Sequence, residues 1–549
     1  MSSIRRPGTR RRRSTALVAL ATAGVLALSG CGGASDADGG GSGKGGDLTF
    51  LLDSLGSTWV PNSASFSSFQ GNVFSQVYDK LVYVDGQGKV SPWIARSWTH
   101  NPTYTEFTLK LRPGVTFSDG EKLDAAAVVA NLDYWAHGQP DKGIAPIGLF
   151  PKSYRAATAV DDTTVKVSFT APTLGFVSVL GYAGSTLYAP TALRGSATRQ
   201  ADLSTDYGSG PYTVTSWKSD DSVVLTRRRA YAWGPAASGN SGPAHLDRIT
   251  YKVSADPAVR TAAVQAGQAQ VAYNPTPQQI TQLTAKGLKV YTPVYLGFAY
   301  GWALNTRTPL FRDARVRQAV QHGIDRRQIL DTVYTPQWKP ATSFFNDTVP
   351  GAVDESAHFR YDPTLSARLL RQAGWTRGSD GTLTKGGRPA ELTLYANPYL
   401  PTSKQVDQLI ASQLGRLGIK VSVQAYDVIT YGEKVVLGNP SVAAYEITRS
   451  IGDASTAANV FTDADKGENW FGLGSSDKTL DRLRDQISGA TDPGRRDAAL
   501  AQLQRHVLDR GYFIPLTQIV QRPVLATPTL EGAVQDSTAF TSFRNATLG

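Results

Sequence analysis

The chain has 549 residues, 41% of them hydrophobic and 18% charged, which is enough apolar side chain for more than one packed core. A single cysteine excludes an intrachain disulfide. The formal charge of +11 falls to +5 without the six arginines near the N-terminus, and the later Arg227-Arg228-Arg229 run reads as the solvated end of a strand, so the charge pattern is not that of a nucleic-acid binder.

Arg5, Arg6 and Arg10 to Arg13 form a basic head, and Ala16 to Leu28 an apolar stretch short for a membrane span. Ser29 and Gly30 then lead into Cys31. That order is an export signal over residues 1–30. Leu28-Ser29-Gly30-Cys31 resembles a bacterial lipobox, in which the thiol takes a diacylglycerol and becomes the first mature residue. On that reading Cys31 is a lipid attachment point; the alternative is an ordinary signal peptide with a chance cysteine. Residues 31–46 are too rich in glycine to bury a core and should act as a flexible tether. Gly43-Lys44 is no phosphate loop, because that pattern needs Gly at 38 and Ser or Thr at 45, where the chain has Asp38 and Gly45.

From Asp47 onward the pattern is mixed α/β. Leu48 to Leu52 reads as a buried strand, and Val73, Phe74, Val77, Tyr78 and Leu81 have helical spacing over 72–81. Thr105 to Leu111 alternates, with Phe107, Leu109 and Leu111 on one face. Arg112-Pro113-Gly114 and Asp119-Gly120 turn the chain around a short strand at Val115 and Phe117, and Asp124 caps a following helix. Tyr295 to Leu304 alternates clearly: Phe298, Tyr300 and Trp302 share one face, Gly297, Ala299, Gly301 and Ala303 the other. Asp313 and Asp325 cap two more helices, and Leu480, Leu483 and Ile487 mark a third. Asp492-Pro493 opens a fourth, and Tyr512 to Val520 reads as a closing strand.

Four segments together resemble the extracytoplasmic solute-binding proteins of peptide-type ABC importers, the family 5 group of oligopeptide, dipeptide and nickel binders. They are Ala95 to Val128 with FTLKLRPGVTFSDGEKLDAAAVV, GSGPY from Gly208 to Tyr212, NTRTPLFRDARVRQAVQHGIDRRQIL from Asn305 to Leu330, and YDPTLSARLLRQAGW from Tyr361 to Trp375. Asp124, Ala126 and Ala127 depart from the family's helix start. The resemblance implies a two-lobed periplasmic-binding-protein-like fold with a cleft between the lobes. Lobe I would be 47–299 with 509–549, carrying an extra subdomain at about 91–207; lobe II would be 300–508. The Phe298 to Leu304 strand would then lie where the chain crosses between lobes, a preferred place for ligands.

In peptide binders of this family a Trp-x-Ala-Asp-Tyr-x-Asp-Pro stretch supplies an aspartate that pairs with the ligand's α-ammonium. The matching segment here is SIGDASTAANVF, Ser450 to Phe461, and Asp453 stands at that aspartate, while Ala454, Thr456 and Ala457 erode the rest. A loop aspartate capping a turn is the other reading of Asp453. Tyr300 and Trp302 stand open between cleft wall and core, Phe298 is expected in the core, and Trp59 is a further wall candidate. Asn469 and Trp470 read as packing residues.

The histidines at 100, 137, 245, 322, 358 and 506 form no metal-ligand spacing, and no Gly-x-Ser-x-Gly elbow occurs. The expectation is therefore a non-enzymatic receptor without cofactor or metal. It would capture a peptide or similar polar solute and deliver it to an ABC permease and its ATPases. It would be monomeric and held outside a bacterial cell, of a GC-rich Gram-positive kind by composition, through lipidated Cys31. A secreted lipoprotein hydrolase and a surface chaperone or sensor are the rival readings.

Overall fold

The computed structural model describes residues 45–549 apart from 57, 66–68, 149, 206, 293–294, 436–438, 448, 456–469, 474–476 and 519–522. Cys31, the export signal and most of the tether lie outside the described residues, as does Asn469. No helix among the described residues is long and apolar enough to cross a membrane.

Asp47–Leu52 runs parallel to both of its neighbours, Arg248–Val253 and Val271–Tyr273. A strand covered on both faces needs a continuous apolar run rather than alternation. Leu48, Phe50, Leu51 and Leu52 supply it and are all buried. Around this strand grows a seven-stranded sheet, ordered Lys289–Tyr291, Val524–Ala526, Val271–Tyr273, Asp47–Leu52, Arg248–Val253, Ser222–Arg227, Tyr212–Lys218.

A separate four-stranded antiparallel sheet follows the first strand in sequence, built from Ala95–His100, Glu106–Leu111, Thr164–Phe169 and Tyr154–Asp161. Phe107, Leu109 and Leu111 turn to its covered face as their alternation predicts. The helix Ala125–His137 is capped by Asp124, whose Oδ1 accepts from the Ala127 N–H at 3.0 Å. The helix expected over 72–81 spans Gln70–Val77, and the chain turns extended at Tyr78. The reason is Asp79, which is drawn into a buried polar knot. Its Oδ1 accepts from Tyr231 Oη at 3.0 Å and its Oδ2 from Trp233 Nε1 at 2.8 Å. Arg544, from the C-terminal segment, lies 3.5 Å from Oδ1 and stacks over Trp93 and Tyr231. Burial still pushes the Asp79 carboxyl up to about 6.

A second group of elements occupies 300–517. Ala444–Ile447, Tyr300–Leu304 and Phe513–Thr517 form an antiparallel sheet with Tyr300–Leu304 in the middle. Glu391–Ala396 pairs in parallel with Lys420–Ala425, and the helix Ser403–Arg416 makes the crossover between them. The closing strand expected from Tyr512 therefore pairs with Tyr300–Leu304, and the return into the seven-stranded sheet is made by Val524–Ala526. Asp313, Asp325 and Asp492 each accept a backbone N–H at the helix starts where they were expected.

The two arginines of VRQAVQHGIDRR that are most buried, Arg317 and Arg326, donate to backbone carbonyls among the described residues. Arg326 donates to the carbonyls of Pro515 at 2.5 Å, Phe359 at 2.9 Å, and Gln321 and Ile324 at 3.1 Å, with its guanidinium over the Phe359 ring. Arg317 donates to the carbonyls of Arg510 and Phe311 and stacks over Tyr512. A rigid fork of donors is suited to several carbonyls at once. These arginines tie the Ala314–Gly323 and Arg326–Val333 helices to the strand at 513–517 and the segment before it. Desolvation lowers their pKa values, to about 10 for Arg317 and about 9 for Arg326, yet both stay charged at neutral pH.

Candidate functional site

The aromatic face read from Tyr295 to Leu304 is divided by a change of register. Gly297 pairs with Ser450 but Gly301 pairs with Ile447, so one strand carries one residue more than its partner over the same span. An extra residue flips every side chain beyond it to the other face. Phe298 consequently packs with Phe344, Phe345 and Trp470, at ring distances of 5.0, 5.3 and 5.6 Å. Tyr300 and Trp302 face a different apolar core, with Leu304, Val320 and Ile514. All three are buried. Trp59 is buried as well, packed between Phe74 and Trp217.

Trp302 lies directly across the sheet from Glu446. Glu446 Oε1 accepts from Ser403 Oγ at 2.6 Å, and Asp407, one turn further along the same helix, is fully buried beside it. Both Asp407 oxygens, Glu446 Oε2 and Tyr300 Oη are buried, and Glu446 interacts directly with Asp407 and Tyr300. A shared proton resolves that account, since two carboxylates in contact cannot both ionise away from water. Burial and then mutual repulsion push the Asp407 carboxyl far up, and burial raises Glu446 too. The pair is a proton-holding element of the core.

Asp453 lies elsewhere, at a seam between segments distant in sequence. Its Oδ1 accepts from the Ser455 N–H at 2.8 Å, which is the turn-capping role. Its Oδ2 lies 3.5 Å from Arg496 Nη1, and both side chains are about nine-tenths buried, at 11% and 12% exposed. Arg496 sits in the first turn of the helix Pro493–Asp509, where its Nε and Nη2 both donate to Asp497 Oδ1 at 3.0 Å. Gly175, which follows the four-stranded sheet, meets the Asp453 carboxylate: a Cβ there would lie 2.2 Å from Asp453 Cγ. Tyr182 Oη donates to the Ser450 carbonyl at 2.9 Å, and the Ile451 N–H donates to the Leu296 carbonyl at 2.9 Å. A cavity of about 210 Å³ opens at this seam, lined among others by Leu174, Gly175, Ser178, Ile451, Asp453 and Arg496.

Of the residues expected at the site, Asp453 lines this cavity, whereas Tyr300, Trp302 and Trp59 are not among its lining residues. Arg496 and Gly175 carried no signal in the sequence, since an arginine in a helix and a glycine in a loop are common everywhere. Among the described residues no group of three or more His, Cys, Asp or Glu side chains is placed to hold a metal ion.

Residues 89–469 match the model for bacterial extracellular solute-binding proteins, family 5. The chain belongs to that family. The glutathione-binding protein GsiB of Escherichia coli K12 is 28% identical over 385 residues, covering 69% of this chain and 70% of the relative. Among solved structures, NikA of Brucella suis in complex with Fe(III)-EDTA superposes with a TM-score of 0.78 at 24% identity, covering 92% of this chain and all of the other. The oligopeptide-binding protein AppA of Bacillus subtilis, in complex with a nonapeptide, gives 0.75 at 19% identity over 92% and 99% of the two chains. The fold is therefore the two-lobed fold of this solute-binding family.

Two outcomes are expected from this geometry. The proton that folded Asp407 and Glu446 share is released by the unfolded chain above the ordinary carboxylate values near 4. Stability contributed by the pair is thus present at low pH and lost as pH rises, by up to about 1.4 kcal/mol per pH unit for that proton. Asp407→Asn should flatten the fall in urea-unfolding stability between pH 5 and 8; an unchanged slope would remove the shared proton. Gly175 has a φ of −80°, open to any residue, and in Gly175→Ala the new Cβ meets the Asp453 carboxylate first. Overpacking of about 1–3 kcal/mol should weaken ligand binding roughly 5- to 150-fold with unaltered circular dichroism. Unchanged affinity would show that the seam does not tighten on binding.

Proposed function

We propose that this protein is the capture component of an ABC importer for peptides or similar small polar solutes. The observation that carries the reading is Asp453: a carboxylate nine-tenths buried, lining a cavity where Gly175 of one part of the chain meets the Ser450–Asp453 segment of another. In a water-poor cavity a carboxylate pairs strongly with a ligand ammonium.

Capture works by lobe closure. The lobes are 47–299 with the C-terminal tail, and 300 onward, with the second crossing between Thr517 and Val524, where the strand pairing changes sheets. Residues about 91–207 form the extra subdomain that brings Gly175 and Tyr182 to the seam. A ligand touching both sides shifts the population toward the closed state, which a permease served by cytoplasmic ATPases then recognises. No bond is made or broken, and neither cofactor nor metal takes part. The protein acts as a monomer outside the cell. Diacylglycerol on Cys31 holds it at the membrane, with 32–46 as the tether.

The full-length chain, purified in mild detergent, is denatured and the small molecules released are identified by mass spectrometry. Short peptides, with loss of their retention in Asp453→Asn, are the expected result. Retention of peptides regardless of Asp453 would move the site, and steady release of cleaved products would make the protein a hydrolase. A solute at a hundredfold over its dissociation constant should add about 2.7 kcal/mol of stability, which a thermal shift confirms. For the anchor, Cys31→Ala should leave the protein in the medium; membrane retention and lipid labelling of that variant would rule it out.

A further inference from the structure

We infer that Asp407 and Glu446 are positioning residues for the cavity at Asp453. The proton they share clamps the strand Ala444–Ile447 to the helix Ser403–Arg416, and its loss as pH rises lets the Ser450–Asp453 segment move. That this movement weakens capture rests on the reading of Asp453 as a ligand contact; the clamp itself stands apart from that reading.

Three other carboxylates held away from water are met by arginine: Asp79 by Arg544, Asp453 by Arg496 and Glu355 by Arg505. Asp407 and Glu446 are met by each other. Asp407 is fully buried on the helix, and Glu446 Oε2 is buried on the strand. Ser403 Oγ donates to Glu446 Oε1 at 2.6 Å, and Tyr300 and Trp302 face Glu446 from the neighbouring strand. Tyr334 and Tyr431 complete the surroundings. Burial keeps all three phenols above their usual range, so they stay neutral. The charge that changes is therefore that of the two carboxylates. A shared proton leaves one charge and a hydrogen bond between them. Without it two like charges stand in contact out of water, and they part or admit water. Burial holds both carboxyls above their unfolded values, so the clamp is complete at acid pH and is lost as pH rises through the folded values.

The strand is the element that can yield. It lies at the edge of its three-stranded sheet, paired on one side to Tyr300–Leu304, whereas Tyr300–Leu304 is paired on both. Glu446 stands within it, opposite Trp302. Further along, the chain pairs again with the residues just before Tyr300. The Phe298 N–H donates to the Arg449 carbonyl at 3.1 Å, and the Ile451 N–H to the Leu296 carbonyl at 2.9 Å. Displacing the strand at Glu446 therefore pulls on the backbone that carries Asp453. Two contacts across the seam depend on that backbone: Tyr182 Oη on the Ser450 carbonyl at 2.9 Å, and Gly175 against the Asp453 carboxylate. The pair thus acts on the cavity without lining it.

Hydrogen exchange read by mass spectrometry on the full-length chain tests this without any ligand, between pH 6 and 9 and with each rate divided by the intrinsic rate at that pH. In the wild type, protection of the peptides carrying Ala444–Ile447 and Ser450–Asp453 should fall by up to about tenfold per pH unit once the proton leaves, while Asp47–Leu52 keeps its protection. Glu446→Gln and Asp407→Asn each place an amide donor where the proton was, so each should hold the acid level of protection across the range. The infrared C=O stretch of a protonated carboxyl should be present in the wild type at neutral pH and lost in both variants. Retention of random tripeptides should follow, the ratio of variant to wild type rising with pH; titration of the peptide's own ammonium cancels in that ratio. A fall in protection that both variants share, or that reaches Asp47–Leu52 equally, would make the pair a matter of overall stability and overturn the inference. Flat protection in the wild type would do the same. If protection behaves as expected while no peptide is retained at any pH, the clamp stands and the peptide reading falls.

Discussion

The Tyr300–Leu304 strand is hydrogen-bonded along both edges and buried on both faces, and the positions of the other elements around the site follow from it. Its backbone comes so close to Phe513–Thr517 that a Cβ at Gly301 would lie 2.1 Å from the Ile514 carbonyl oxygen. A strand in that position cannot slide or rotate without breaking two ladders. It therefore fixes the register of Ala444–Ile447, and through the extra residue between Gly297 and Gly301 it sets where Ser450 to Asp453 emerge. The Ser450–Asp453 segment thus follows a core strand in the chain.

Polar groups inside this core are held by different means according to their charge. Arg317 and Arg326 keep their charges by gathering backbone carbonyls and an aromatic face. Asp407 and Glu446 avoid full charge by retaining a proton. Asp79 is compensated by Arg544, Tyr231 and Trp233, and that knot fastens the C-terminal segment onto the first sheet. Asp453 and Arg496 differ from all of these. They form an ion pair at 3.5 Å on the wall of a cavity.

Much of the fold was legible because local rules were obeyed. The parallel core strand announced itself as a mostly apolar run at Leu48 to Leu52, and Asp124, Asp313, Asp325 and Asp492 marked helix starts that the backbone adopts. The end of the helix at Val77 was not legible. Tyr78 and Leu81 continue the apolar spacing, yet Asp79 is pulled out of the helix by partners more than 150 residues away. The motif NTRTPLFRDARVRQAVQHGIDRRQIL pointed to the family, and two of its arginines, Arg317 and Arg326, hold helices to a strand and the segment before it. A motif can thus identify a fold through residues that serve packing.

The sequence by itself determined the elements, the family and the candidate at Asp453, because periodicity, caps and motifs act over a few residues. Only the tertiary structure decided that the candidate aromatic residues fill cores, and which core each one fills. Phe298, Tyr300 and Trp302 share a period of two, and one additional residue in the pairing sends Phe298 to a different core from the other two. Only the tertiary structure could likewise bring Gly175 and Arg496 to Asp453. These contacts join segments between 43 and 278 residues distant along the chain. No local preference encodes such a distance; it is set by packing whole sheets and helices against one another.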